Sequence, residues 1–453
     1  MRATFDPYSG PAQLIFAFEA VVIGGVGSLW GTLVGGIILG VAQSLGAQIG
    51  PRGFLLTGHV VFLVVLAARL FLSGVDLRGA LRRAAARAAR VRLEPVAVSG
   101  KKFLVTRWTG TSTASAAIAV VVIAALALLP LFSGANVTER LTTLFVYIIL
   151  AVMWNALAGY AGLVSVGQQM FFGLGAYATI RLSYGGMNVY AAILTGTLLA
   201  GCTALPLSSF MLRLRGGEFA IATWVIATIA HLLVNFDPLI QGETGKSLIA
   251  LNAYDATVRQ AISYWATLAT MALFLVLMFV LLRSRVGTAV QAIRDDEHAA
   301  ASVGVRVMAA KRLIFTIAAF GCAAAGALWL ATALTFQPRT YFGIQWTAYM
   351  LFMALVGGLG TFEGPIIGAI IFFILEDRFG ATGVWYLVGL GIAATLASLL
   401  LPRGIWGTIE DRYGVQIMPV GYRLQLGAVD GMDGKQQRQT EGWWARLRSL
   451  PRL

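Results

Sequence analysis

The amino-acid sequence predicts an all-α polytopic membrane protein, and three observations carry that reading. Only 12% of the 453 residues are charged while 58% are apolar, and mean hydropathy is +0.79; soluble globular proteins carry about a quarter charged residues. Most of the chain therefore cannot face water. The apolar residues gather into runs at about 13–45, 54–75, 112–132, 141–160, 171–184, 188–212, 217–234, 261–282, 312–334, 346–376 and 383–401, several of them of bilayer-spanning length. Cations gather in the links between these runs, and the 52 glycines fit helices that pack closely in lipid.

The links set the topology. Residues 76–107 hold nine Lys/Arg against Asp76 and Glu94, residues 283–312 hold six against three acids, and residues 402–453 hold eight against five. The link 235–260 has only Lys246 and Arg259 against Asp237, Glu243 and Asp255. Positive links stay inside, so the first three are expected in the cytoplasm and the last outside. From 107, five crossings reach the outside at 235, the run at 261 returns, and the run at 312 exits near 335. For Arg403 to lie inside, 346–376 must enter and return before 383–401 crosses. The glycines Gly357, Gly358, Gly360 and Gly364, followed by Pro365, are placed to make that reversal. Irregular backbone at such depth survives only when buried in protein or lining a cavity.

A net charge of +14 raises nucleic acid as a partner, but a nucleic-acid binder needs a basic face on a soluble domain; positive-inside loops account for these cations. Cys202 and Cys322 lie inside apolar runs, as packing residues would, and His59, His231 and His298 have no metal-ligand spacing. No metal is expected, and no cleavable leader is expected in the opening residues.

A duplication links the two ends. The run GGVGSLWGTLVGG at 24–36 matches GGLGTFEGPIIGA at 357–369, so that Gly24, Gly25, Gly27, Gly31 and Gly35 fall 333 residues before Gly357, Gly358, Gly360, Gly364 and Gly368. Ser28 matches Thr361. Both copies lead into an apolar run and a basic exit, Arg69 in one and Arg403 in the other. The first copy adds Glu19, a carboxylate without an evident partner in the sequence; such a group at membrane depth is costly unless paired or protonated.

The chemistry-bearing link is RSRVGTAVQAIRDDEHAAASVGVRVMAAKRLIF, residues 283–315. Charged Arg294, Asp295, Asp296 and Glu297, then His298, small Ala299 and Ala300, then Gly304, read as a short surface helix and a bend able to dock into a groove. A solvated loop is the alternative. Gly159, Gly162, Gly167, Gly173 and Gly175 break another region around Gln168 and Gln169; unwound backbone there could meet a polar solute, or the glycines could serve helix packing alone. Gly245-Lys246-Ser247 imitates the end of a P-loop, but position 240 is Ile240 where the first glycine belongs.

The run GTAVQAIRDDEHAAASVGV resembles the EAA loop of ABC importer permeases, the segment that docks into the cytoplasmic ATPase. YIILAVMWNALAGYAGLVSVGQQMFFGLGAYAT (147–179), LRLRGGEFAIATW (212–224), ALVGGLGTFEGPIIGAII (354–371) and LLPRGIWG (400–407) resemble the M-type permease of branched-chain amino acid importers. The usual EAA triplet reads His298-Ala299-Ala300 here, with Glu297 displaced by one residue, and QGETGKSL (241–248) replaces the usual Thr-Gly-Gly-type run. The N-terminal fragment resembles the tail of the H-type permease, as an in-frame join would produce; local duplication is the alternative.

The resemblance implies a many-helix ABC importer permease fold with glycine-broken helices, in a bacterial inner or plasma membrane. It implies four partners besides the solute: an H-type permease, two ATPase subunits that bind the ATP, and an extracytoplasmic solute-binding protein. The expected organisation is a partial permease-like fragment (1–75), a basic cytoplasmic linker (76–107), the permease domain (108–410) and a cytoplasmic tail without fixed structure (411–453), although Trp443, Trp444, Arg446 and Arg448 could anchor at the bilayer surface. The expected function is passive translocation of branched-chain amino acids by alternating access, with urea, short amides or simple sugars as other solutes. Residues 1–75 are expected to be dispensable for it. An ion-coupled secondary transporter is the competing class, its ionisable residues at depth limited to Glu19, Arg181, Glu218, His231 and the Glu376–Asp377–Arg378 cluster. An enzyme lacks any metal or nucleophile constellation.

Overall fold

A computed structural model of the chain describes residues 9–25, 27–74, 103–106, 110–240, 242–413, 417–418, 420 and 423–426. The described residues are helical nearly throughout, and among them eight helical stretches are long and apolar enough to cross a membrane. The rest of the linker 76–107, and the tail residues Trp443, Trp444, Arg446 and Arg448, lie outside the described residues.

The apolar run 13–45 forms two helices. α1 (Ser9–Gly24) and α2 (Leu29–Ala47) make a hairpin, and α3 (Pro51–Gly74) packs beside it. The chain reverses at Gly25 (φ 96°) and Gly27 (φ 97°), conformations that glycine adopts without a Cβ penalty. Ser28 then caps α2, its Oγ accepting the Gly31 N–H at 3.0 Å.

The permease-like region begins with α4 (Gly110–Leu128) and α5 (Ala135–Asn155), the latter running into a π turn at Ala156–Tyr160. α6 (Gln169–Tyr184), α7 (Val189–Cys202), α8 (Ala204–Met211) and α9 (Gly216–Val234) follow. α10 (Ala256–Leu282) is followed by two short helices, α11 (Arg285–Asp295) and α12 (Glu297–Ser302), and then by α13 (Val307–Ala333). α14 (Pro338–Tyr341) precedes a second hairpin, α15 (Gln345–Gly357) with α16 (Gly364–Phe379), and then α17 (Val384–Leu400) and α18 (Gly404–Tyr413). The reversal expected within 346–376 is thus a pair of short helices meeting at 358–363.

α5 and α13 form the centre. From Phe145 to Ala161 every residue of α5 and its π turn is buried, and α6, α15 and α16 surround them. The rings of Tyr147, Phe172, Trp329, Trp346 and Phe372 interlock there at centroid distances of 4.2–6.4 Å. α4 is peripheral, held to α10 where Tyr264 and Trp265 donate to the Leu126 and Ala127 carbonyls. β2 (Lys246–Ser247) pairs with β3 (Thr335–Phe336), so the stretch that imitates a P-loop is a strand. β1 (Phe103–Thr106) pairs antiparallel with β4 (Arg423–Leu426), joining part of the stretch read as a linker to part of the stretch read as a tail.

The duplicated glycines build duplicate hairpins. A Cβ on Gly24 would lie 2.0 Å from the Gly31 carbonyl oxygen, and one on Gly357 would lie 1.9 Å from that of Gly364. Thr361, the counterpart of Ser28, accepts the Gly364 N–H at 3.1 Å, as Ser28 accepts that of Gly31, although Glu363 rather than Thr361 stands at the N-cap of α16. α3 and α17 start at Pro51 and Val384, again 333 residues apart. The copies sit on different neighbours, α15 and α16 on α5, and α1 and α3 on α9, where Phe18 meets Trp224 at 6.4 Å.

One expectation is corrected here. Glu19 has a partner, the His59 Nδ1 at 2.5 Å, both residues being essentially fully buried. Forty residues of separation hide the pairing in the sequence; the α1–α3 contact brings it about. Phe16 stacks on the His59 ring at 5.3 Å.

Candidate docking face and glycine core

The link 283–315 folds into two short helices, each set by a side-chain cap. Ser284 starts α11 by accepting the Val286 N–H. Asp296 ends α11 and starts α12, accepting the N–H groups of His298 and Ala299 at 2.8 and 3.0 Å. Those bonds, from Ala299 first and then His298, hold the Asp296 carboxyl below the usual carboxylate range. Gly304 closes the segment at φ 91°.

The helices are two-sided. Gly287, Val290, Ile293 and Ala300 face the protein, whereas His298, Ala299, Ser302 and Val303 face out, Val303 being 78% exposed. The alanine pair is therefore split between packing and presentation. Arg294 fastens the inner side, its Nη1 donating to the Gly159 carbonyl at 2.9 Å while the guanidinium engages Asp295 at 3.1 Å. Glu297 pairs with the buried Lys311 at 2.7 Å, and Arg215 reaches the His298 ring at 3.2 Å. A cavity of about 490 Å³ opens beside them, with Gly162, Phe219, Arg294 and Lys311 in its wall.

The reversal turn 358–363 joins this face. Gly358 (φ 138°) and Gly360 (φ 77°) turn the backbone, and Asn155 clamps it to the end of α5. The Asn155 Oδ1 accepts the Gly360 N–H at 2.8 Å, and its Nδ2 donates to the Thr361 carbonyl at 2.9 Å. Glu363 accepts the Met418 N–H at 2.6 Å. Burial raises its carboxyl above the ordinary value, although that bond works against the shift.

The glycines around Gln168 divide into two sets. Gly159 and Gly162 lie under Arg294. Gly167, Gly173 and Gly175 sit at close approaches, where an added Cβ would come 2.1 Å from the Thr223 carbonyl oxygen, 2.7 Å from the Phe342 ring and 2.1 Å from the Ala323 carbonyl oxygen. Gln168 and Gln169 are buried, Gln168 donating to Ser165 and Gln169 accepting from Thr347. The free space beside Gln168 is about 10 Å³. Of the ionisable residues noted at depth, Arg181 pairs with Asp237 at 3.3 Å, His231 with Glu243 at 3.0 Å, and Glu376 accepts from Tyr147 at 2.5 Å. Among the described residues no three His, Cys, Asp or Glu could hold a metal.

The pattern that defines the branched-chain amino acid transport system permease component matches residues 136–401, which run from α5 to the end of α17. The chain belongs to that family. This permease is 26% identical over 335 residues to the high-affinity branched-chain amino acid transport system permease protein LivM of Escherichia coli, covering 68% of this chain and 79% of that protein. LivM of Salmonella typhimurium is 25% identical over the same shares. Over 77 residues this permease is 32% identical to the probable branched-chain amino acid transport permease protein LivH of Methanocaldococcus jannaschii, covering 16% of this chain and 24% of that protein. No solved structure matched. This permease is thus a multi-pass membrane transport component and not an enzyme.

Sequence reading missed Asn155, Arg215 and Lys311. Asn155 carried a signal, a lone amide in the apolar run YIILAVMWNALAG, since polar groups at such depth need partners.

Proposed function

We propose that this chain is a membrane-spanning translocation subunit of an ATP-driven importer of branched-chain amino acids in a bacterial inner membrane. Residues 108–410 form the translocating body, 1–75 a separable addition joined through 76–107, and 411–453 an inner-side tail. The partners are a second, H-type permease, two ATPase subunits that bind ATP, and an extracytoplasmic solute-binding protein. Arg294 through Gly304 meet an ATPase subunit, and nucleotide-driven movement there alternates access to the solute. The glycine-broken stretch from Gly159 to Gly175 and the reversal at Gly357–Gly364 are the parts that rearrange.

The observation that carries this reading is α12, which presents His298, Ala299 and Val303 outward while Arg294 ties its base to α5 and lies against the reversal turn. An exposed valine at the inner end of a membrane protein suits burial under a partner, at about 25 cal/mol per Å² of apolar surface covered. Val303→Glu in the assembled importer tests it. Leucine uptake and its ATP hydrolysis should both fall while insertion stays normal; unchanged uptake with Val303→Glu would remove this face from the docking site.

A further inference from the structure

At the outer end of the core, away from the docking face, the starts of α5 and α10 and the end of α13 enclose a cavity of about 180 Å³. Three features of its wall bear on what it could hold. Glu139 on α5, exposed at the cavity mouth, and Arg259 on α10, half-buried, both line it, and among the described residues neither makes an ion pair or side-chain hydrogen bond. Ser263, one turn beyond Arg259, is 4% exposed, and its Oγ has no partner. A buried hydroxyl normally finds one, if only a carbonyl one turn back; Thr142 in the same wall does so with Thr138. Leu334 closes the cavity at φ 60°, where among the described residues every other residue with positive φ is glycine. An L-residue pays roughly 1–2 kcal/mol for that conformation, and strain of this kind collects at ligand sites.

We propose that this cavity binds the α-ammonium and α-carboxylate groups of a free amino acid. Glu139 takes the ammonium, Arg259 takes the carboxylate, and the Ser263 hydroxyl donates to a carboxylate oxygen, while Ala331 and Leu334 supply an apolar wall for the side chain. Opposite charges held apart on two helices favour a ligand carrying both signs. A simple cation or anion would engage only one of the two. The Leu334 backbone is itself fixed from outside the cavity, its carbonyl accepting the Leu248 N–H at 2.7 Å, so the outer loop is coupled to occupancy. The site rests on the reading of this chain as an amino-acid permease and places an entry station on its outer side.

The test uses Ser263→Cys in a Cys202→Ser background of the full chain, in lipid nanodiscs, with a small methanethiosulfonate reagent. L-Leucine should slow labelling, whereas 4-methylpentanoate, which lacks the ammonium, and 3-methylbutylamine, which lacks the carboxylate, should not. Glu139→Gln or Arg259→Gln should raise the protective leucine concentration roughly tenfold or more, as loss of one charge-assisted hydrogen bond implies. A second arm measures leucine uptake by the assembled importer. Uptake without any leucine protection of Ser263→Cys overturns the cavity assignment and leaves the permease reading standing. Protection by leucine that survives both charge-removing substitutions also overturns it. Protection by another zwitterion, with no uptake of leucine, valine or isoleucine, supports the site and overturns the choice of solute.

Discussion

Replacing His59 by alanine isolates the Glu19 carboxylate. The pair is sealed, with exposures of 0 and 1%, a 2.5 Å contact, and the second carboxylate oxygen of Glu19 already without a partner. Breaking a buried pair by removing one member costs about 3–5 kcal/mol. The lower end of that range, about 3 kcal/mol, is the conservative figure. At 1.4 kcal/mol per factor of ten, the open population of the α1–α3 unit should rise about a hundredfold. A cysteine at the buried Ala42, again in a Cys202→Ser background, reports that population through its labelling rate. The control replaces both partners, Glu19→Leu with His59→Phe, keeping a ring for Phe16 to stack on and removing both polar groups. Exchange of a buried pair for apolar residues of similar volume is often neutral or stabilising by about 1–4 kcal/mol, so the double variant should label no faster than its parent. Labelling of His59→Ala at the parental rate, or of the double variant as fast as His59→Ala, would refute this account of the pair.

Asn155→Ala should leave the Gly360 N–H and the Thr361 carbonyl unpaired, at about 1–3 kcal/mol each; a lower detergent unfolding temperature and weaker uptake are expected, and an unshifted melting curve would contradict the clamp. Deleting residues 1–75 should preserve leucine uptake per inserted molecule, because that unit touches the permease body mainly through α9; collapse of uptake with normal assembly would make it part of the working machine. Thr244→Cys should react with an impermeant thiol reagent from outside and Ser302→Cys from inside only, and reversed labelling would invert the topology. Glu243 is held below its ordinary value of 4.5, first by the bond from His231. Its clamp on the Arg339 N–H should therefore be complete above about pH 4.5 and lost as pH falls through the lower folded value. Loss of hydrogen-exchange protection at the Arg339 N–H in acid, with the protection already absent and independent of pH in Glu243→Gln, is the readout.

What the sequence made legible was whatever repeats locally. Apolar runs located the helices, and the glycine spacing located both hairpins, because close helix approach and positive φ each demand that residue. Pairings across distance stayed hidden. Nothing in the spacing of Glu19 and His59, or of Arg294 and Gly159, announces that they touch. The first meeting depends on how three helices pack, and the second on how α5 ends. The split of Ala299 from Ala300 was hidden too, since it follows from where Asp296 restarts the helix. Leu334 looked like any apolar residue, its backbone set by the end of α13 and by the bond from Leu248.

The π turn at Ala156–Tyr160 gives α5 a stored rotation. Such a turn holds one more residue than an ordinary helical turn, so rewinding it to α geometry would swing everything beyond it by about 100°. The Gly159 carbonyl would turn away from Arg294, and the stretch 161–168 would rotate with it. Such a rewinding would change the heading of one end of a buried helix while leaving the other end packed among Tyr147, Trp329 and Phe372.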